Sequence, residues 1–151
     1  MSKTASTVRR KSQSITQRRF AGAQTEELLM AEEYIILIVE PEWDPSKITE
    51  TEWAAAMQGH GAFAKAVADA GAQVLGGDAL QPPSAAVKIT PAAGGKAAVF
   101  TDGPFGETKE VVSGFYKISV KDAAQARELA ALCPTSGWLE LYPVMATGSM
   151  E

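Results

Sequence analysis

His60 is the only histidine in the 151 residues. Imidazole ionises closest to neutrality of the side chains, so any general acid or base chemistry here starts with it. It falls on the apolar stripe of a helical pattern and away from the charges, which leaves two readings: a core histidine holding one hydrogen bond, or a proton carrier facing a cleft. The densest chemistry follows in Thr101-Asp102-Gly103-Pro104-Phe105-Gly106-Glu107-Thr108-Lys109-Glu110. Asp102 readily hydrogen-bonds its own backbone, Gly103 admits positive φ and Pro104 fixes its own φ, so this loop is built to hold one shape. Asp102 is then either a turn residue or a carboxylate that takes a ligand donor or orients a base. Lys109 is the candidate anion holder, Glu107 a second acid and Thr108 a hydroxyl, each set against a solvated-surface reading. Phe105 and Tyr116 offer either a wall for a planar ligand or core and dimer contacts.

Other chemistries lack their residues. Cys133 is the one cysteine, which excludes an intrachain disulfide and a four-cysteine metal site and leaves a packing thiol ahead of Pro134. Gly76-Gly77 and Gly94-Gly95 follow no strand-to-helix phosphate pattern and read as turns. No Gly-x-Ser-x-Gly elbow is present for a serine nucleophile. A site without metal or cofactor is the expectation.

Charge divides the chain. Residues 1–29 carry six basic and two acidic residues, a net +4, whereas residues 30–151 carry eight basic and sixteen acidic ones, a net −8. The acidic part is a poor nucleic-acid binder, because a phosphate surface needs a basic stripe; only the tail suits a polyanion. That tail is rich in Ser, Thr, Gln and Arg, shows no apolar period and reads as disordered. Three accounts of it stand: a transit peptide, a basic arm for nucleic acid or an acidic partner, or a start placed too early. The last is preferred, since Met30 is followed at once by Ala31-Glu32-Glu33 and a strand pattern. No apolar run approaches the roughly 18 residues of a membrane helix and no secretion leader is visible, so the cytoplasm is the expected compartment.

The elements that must hold these residues follow from periodicity. Tyr34-Ile35-Ile36-Leu37-Ile38-Val39, closed by Glu40-Pro41, has the continuous apolar pattern of a central strand buried on both faces. Thr49 and Glu52 form a capping-box pair, so a helix starts near Glu50, with Trp53, Met57, His60, Ala64 and Val67 as its stripe and Gly71 as its stop. Short antiparallel strands are predicted at Val74-Leu75, Ala86-Val87-Lys88-Ile89 and Ala97-Ala98-Val99-Phe100. Tyr116, Ile118 and Val120 alternate with Lys117 and Ser119 in a half-buried strand. Asp122 caps a second helix with Ala126, Leu129, Ala130 and Cys133 on its apolar face, and Leu139 and Leu141 mark a last strand. This order predicts an α+β, ferredoxin-like antiparallel sheet with helices on one face. The other face, left half apolar, predicts a homodimer.

Several of these segments resemble a known family. Asp102-Gly103-Pro104-Phe105 with Glu107-Thr108-Lys109-Glu110, Gly77-Asp78-Ala79-Leu80-Gln81-Pro82-Pro83, Gly114-Phe115-Tyr116 and Leu139-Glu140-Leu141-Tyr142-Pro143-Val144 are similar to the YCII-related proteins of the DGPF subgroup. The resemblance covers most of residues 33 to 144. Asp78 stands where the family often has glutamate, and Tyr142 where it has an arginine before the final Pro-Val. The resemblance implies a dimeric α+β barrel built from a domain over residues 30–151, with a histidine and an aspartate paired in a cleft beneath the sheet, matched by His60 and Asp102. It thus predicts that a small anionic or aromatic metabolite is bound and a proton transferred without a cofactor, as in an isomerase or lyase. His60 moves the proton, Asp102 orients it, and Lys109 or a loop amide holds the developing negative charge. The alternative is a non-catalytic ligand-sensing or protein-interaction module, which the resemblance links to sigma-factor-dependent transcription control. A transcription-related protein is then the expected partner beside a second copy of the chain.

Overall fold

Alternating and helical apolar patterns set the elements in the computed structural model, which describes residues 31–106 and 109–148. The basic tail, the choice between Met1 and Met30 as the start, and the side chains of Glu107 and Thr108 lie outside the described residues. In chain order the elements are β1 (Glu32–Pro41), α1 (Glu50–Asp69), β2 (Gln73–Ala79), β3 (Val87–Thr90), β4 (Val99–Asp102), β5 (Glu110–Val120), α2 (Ala123–Ala130) and β6 (Trp138–Pro143). Single 3-10 turns lie at Pro45–Lys47 and Pro83–Ala85.

Four strands form one antiparallel sheet in the order β2-β5-β1-β6, so β1 is central as its apolar run predicts. With both helices on one face, this is a ferredoxin-like α+β arrangement. Tyr34, Ile36 and Ile38 of β1, Ile118 and Val120 of β5, Phe63 and Val67 of α1, and Ala126, Leu129 and Ala130 of α2 share the core, where Ile36 and Ile118 are fully buried. The opposite face departs from expectation. Ile35 and Leu37 are only half-buried, because none of the described elements covers the side of the sheet that they share with Phe115 and Tyr142.

Both helices begin on caps that the sequence shows. Thr49 Oγ1 accepts from the Glu52 amide at 3.2 Å while a Glu52 carboxylate oxygen accepts from the Thr49 amide at 2.9 Å. Asp122 accepts from the Gln125 amide at 2.8 Å, and Gly71, at φ +76°, takes the left-handed conformation that stops α1. The stripe of α1 differs from its prediction. Phe63 and Val67 are buried, but Trp53 and Met57 remain 49% and 44% exposed. The N-terminal half of α1 faces a cleft, so apolar residues at helical spacing are divided between core and cleft.

The Gly76-Gly77 pair is not a turn: it lies inside β2, where the register with β5 shifts between Val74 and Gly76. A Cβ on Gly77 would stand 2.6 Å from the Phe115 carbonyl oxygen and 2.7 Å from Tyr116 Cδ1, so glycine here permits a close approach of strands. Gly94 and Gly95 do form a turn, both at positive φ. They lie between β3 and β4, which pair as a separate two-stranded ribbon instead of joining the main sheet. Val87, Ile89, Val99 and Phe100 of this ribbon are all exposed. Among the described residues no helix is long and apolar enough to cross a membrane.

Phe63→Ala should cost about 3–5 kcal/mol in urea unfolding, as for a large side chain deleted from a packed core, while Trp53→Ala should cost no more than about 1 kcal/mol. Equal losses would contradict the division of the helix face. Burial, and then the Glu40 charge, pushes the Cys133 thiol up to about 11. At mildly alkaline pH its thiolate fraction is then about a hundredfold below that of an unshifted thiol. Alkylation should be slower by at least that factor in the folded chain and ordinary in urea.

Candidate functional site

The cleft is built by the segment between β1 and α1 together with the first turns of α1. Asp44 accepts from the Ser46 amide at 3.0 Å and from its hydroxyl at 2.7 Å, which caps the 3-10 turn. The hydroxyl first, and then the amide, hold the Asp44 carboxyl below its usual range. The Thr49 amide and hydroxyl do the same for Glu52. The Glu42 amide donates to the Lys109 carbonyl at 3.0 Å, tying this segment to the approach to β5. These local bonds leave a cleft of about 830 Å³ between the segment, α1 and the junction of β2 with β5. That size suits a small molecule. Trp43, Ile48, Trp53 and Met57 supply apolar walls, and Gly77, Gly114 and Tyr116 line it from the strands.

His60 enters this cleft from α1, half-buried. Its Nδ1 lies 2.8 Å from Tyr116 Oη. The Tyr116 ring is in turn packed on Phe63, centroids 4.8 Å apart at 51°, so the core positions the phenol and the phenol positions the imidazole. Desolvation, and then the Cys133 charge, pushes the Tyr116 phenol up, so it keeps its proton at neutral pH. A protonated phenol can donate to Nδ1 of neutral His60, which puts the imidazole's own proton on Nε2. Nε2 has no hydrogen bond among the described residues. The pair can therefore present a proton to a bound molecule.

The predicted site residues are distributed unevenly. His60 and Tyr116 meet in the cleft, and Tyr116 bonds the histidine as well as forming a wall. Asp102 ends β4, opposite Val87, and does not line the cleft; within one chain the imidazole's partner is Tyr116 and not Asp102. The Gly103 amide donates to the Ala86 carbonyl at 2.8 Å, and a Cβ there would strike the Pro83 carbonyl, so the Asp-Gly-Pro segment closes on the chain just before β3. Phe105 and Lys109 lie outside the cleft lining, while Glu107 and Thr108 are outside the described residues. Trp43, Trp53 and Met57 line the cleft as well, although helical spacing alone puts Trp53 and Met57 on an apolar stripe and nothing in the local sequence singles out Trp43. Asp78, next to the Gly77 that packs on Tyr116, also borders the cleft. Among the described residues no group of three or more His, Cys, Asp or Glu side chains is placed to hold a metal ion.

Comparison with known proteins adds one match. A family model described as the YCII-related domain matches residues 34–147, a range that includes every residue lining the cleft. A search of curated proteins finds no match.

If Tyr116 donates to Nδ1, nitrogen NMR of the single histidine at mildly alkaline pH should show Nδ1 as the acceptor and Nε2 as the protonated nitrogen. Tyr116→Phe should remove that bias and return the tautomer ratio toward that of a free imidazole. A ratio that is the same in both proteins would show that the phenol does not set the tautomer.

Proposed function

The chain belongs to the YCII-related family, and we propose that it binds a small aromatic or otherwise planar metabolite in the cleft and moves a proton at His60 without a cofactor. The observation that carries this reading is the His60–Tyr116 hydrogen bond on the wall of an 830 Å³ cleft. A tyrosine hydroxyl both donates and accepts, so it serves either direction of transfer. With Nδ1–H donating to the phenol oxygen, Nε2 takes a proton from the ligand, and the imidazolium so formed, still held at Nδ1, returns it from Nε2. An isomerisation needs both steps in succession, one proton removed and one returned at a neighbouring atom, and a single imidazole can do both. Tyr116 is a positioning residue in this scheme, and Asp102 shapes its turn.

The Asp102-Gly103-Pro104-Phe105 segment supports a finer assignment to the DGPF subgroup. A homodimer is the companion proposal: the half-buried row of Ile35, Leu37 and Phe115 on the open sheet face, and the exposed β3–β4 ribbon, are apolar surfaces that a second copy can cover. A cytoplasmic setting suits the single free, buried cysteine.

A solvent-exchange screen tests the catalytic reading: planar enolisable compounds are incubated with the protein in D2O and deuterium uptake is followed by NMR. The wild type should catalyse exchange into at least one of them. His60→Ala should lose about a hundredfold or more of that rate, and Tyr116→Phe a smaller part. Equal rates in all three proteins would remove proton transfer and leave the alternative, a sensor of the same ligand that engages a transcription-related protein. For the dimer, sedimentation should give twice the 15.9 kDa chain mass, and a monomer at micromolar concentration would overturn that proposal.

A further inference from the structure

We infer that the cleft selects a planar organic cation, such as an aromatic amine or amidine, over the corresponding anion. This rests on the reading of the cleft as a ligand site and adds the ligand's charge to it. Among the described residues, Glu40, Asp44 and Glu52 line the cleft against one lysine, Lys47, while Asp78 reaches it from β2 with its side chain on the Phe115 face of the sheet. Lys47 lies 3.8 Å from Asp44, so an incoming anion would have to compete for the one cation present. Lys109, the residue expected to hold an anion, is not part of the lining. Asp44 and Glu52 accept hydrogen bonds from Ser46 and Thr49 that favour their ionised forms, so the negative charge persists at neutral pH. An anion therefore enters against the local field, and a cation enters with it.

The walls suit the same ligand. Trp43 and Trp53 both line the cleft, and indole is the aromatic ring that best attracts a cation to its face. Ile48 and Met57 beside them offer apolar contact to the uncharged part of a planar molecule. Aromatic faces and carboxylates around one cavity provide the two attractions, cation–π and Coulombic, that an organic cation can use together and that an organic anion cannot.

Three near-isosteric probes separate charge from shape: benzamidine, benzamide and benzoate, titrated into the full chain near neutral pH at low salt. The indole N–H signals of the tryptophans report binding. Trp43 and Trp53 line the cleft, and Trp138, on β6 outside it, is the control. Benzamidine should bind tightest, at least about tenfold over benzoate, with benzamide between them and the gap narrowing as salt is added. Asp44→Asn should weaken benzamidine about threefold, whereas Lys47→Gln, at an 81% exposed side chain, should strengthen it by a similar factor. Opposite signs from two conservative changes would not arise from a general loss of folding. Benzoate binding as tightly as benzamidine, with shifts at Trp43 and Trp53, would overturn the charge selection while leaving the cleft as a ligand site. Shifts confined to Trp138, or none with any of the three probes, would overturn the cleft reading itself.

Discussion

The packing of Tyr116 is the constraint on which the site depends. Its ring rests on Phe63 in the core, its edge lies against Gly77 of the neighbouring strand, and its hydroxyl bonds His60. Each contact limits the others. A side chain at position 77 would push the ring off β2, and loss of Phe63 would remove the surface it leans on. The hydrogen bond at 2.8 Å is thus the end of a chain of packing contacts that begins in the core. A catalytic or binding imidazole gains most from such support, because its orientation is settled before a ligand arrives.

The cleft itself arises from a division of labour along α1. Its C-terminal half buries Phe63 and Val67 against the sheet, and its N-terminal half holds Trp53 and Met57 out toward the segment after β1. Leaving two large apolar side chains half-exposed forgoes hydrophobic stabilisation that a fully docked helix would have. The capping box at Thr49 and Glu52 offsets part of that loss locally, since it holds the first turn without help from packing. Stability and site formation therefore use different stretches of one helix.

Two further apolar surfaces remain outside this cleft: the open face of the sheet and the β3–β4 ribbon. On the open face, Lys117 pairs with Glu33 at 2.6 Å, and the Glu140 carboxylate accepts from both Trp138 and Tyr142 on β6. The face is thus mixed: Ile35, Leu37 and Phe115 lie on the inner strands beside the Lys117–Glu33 ion pair, and hydrogen-bonded polar groups occupy the edge strand β6. The Asp-Gly-Pro segment belongs structurally to the ribbon, because its Gly103 amide closes on Ala86. That placement separates it from the His60 cleft within one chain.

Much of the architecture was legible in the residues. The central strand, both helix caps, the core face of α2 and the inward row of Tyr116, Ile118 and Val120 follow from short-range rules of alternation and capping that need no knowledge of neighbours. His60 was also legible as a candidate, being the only imidazole. The rest was not, and for one reason: contacts between elements depend on how far each lies over the next. Helical spacing cannot say which half of α1 sits on the sheet, so Trp53 and Met57 read as core. A glycine pair reads as a turn until the register shows a facing tyrosine. The partner of His60 lies 56 positions away on another element, and the carboxylates around the cleft come from segments without shared spacing. The sequence by itself determined the elements and their order, since these arise from local backbone and burial preferences. Only the tertiary structure decided which side chains meet, since that rests on strand register and on the docking of one helix.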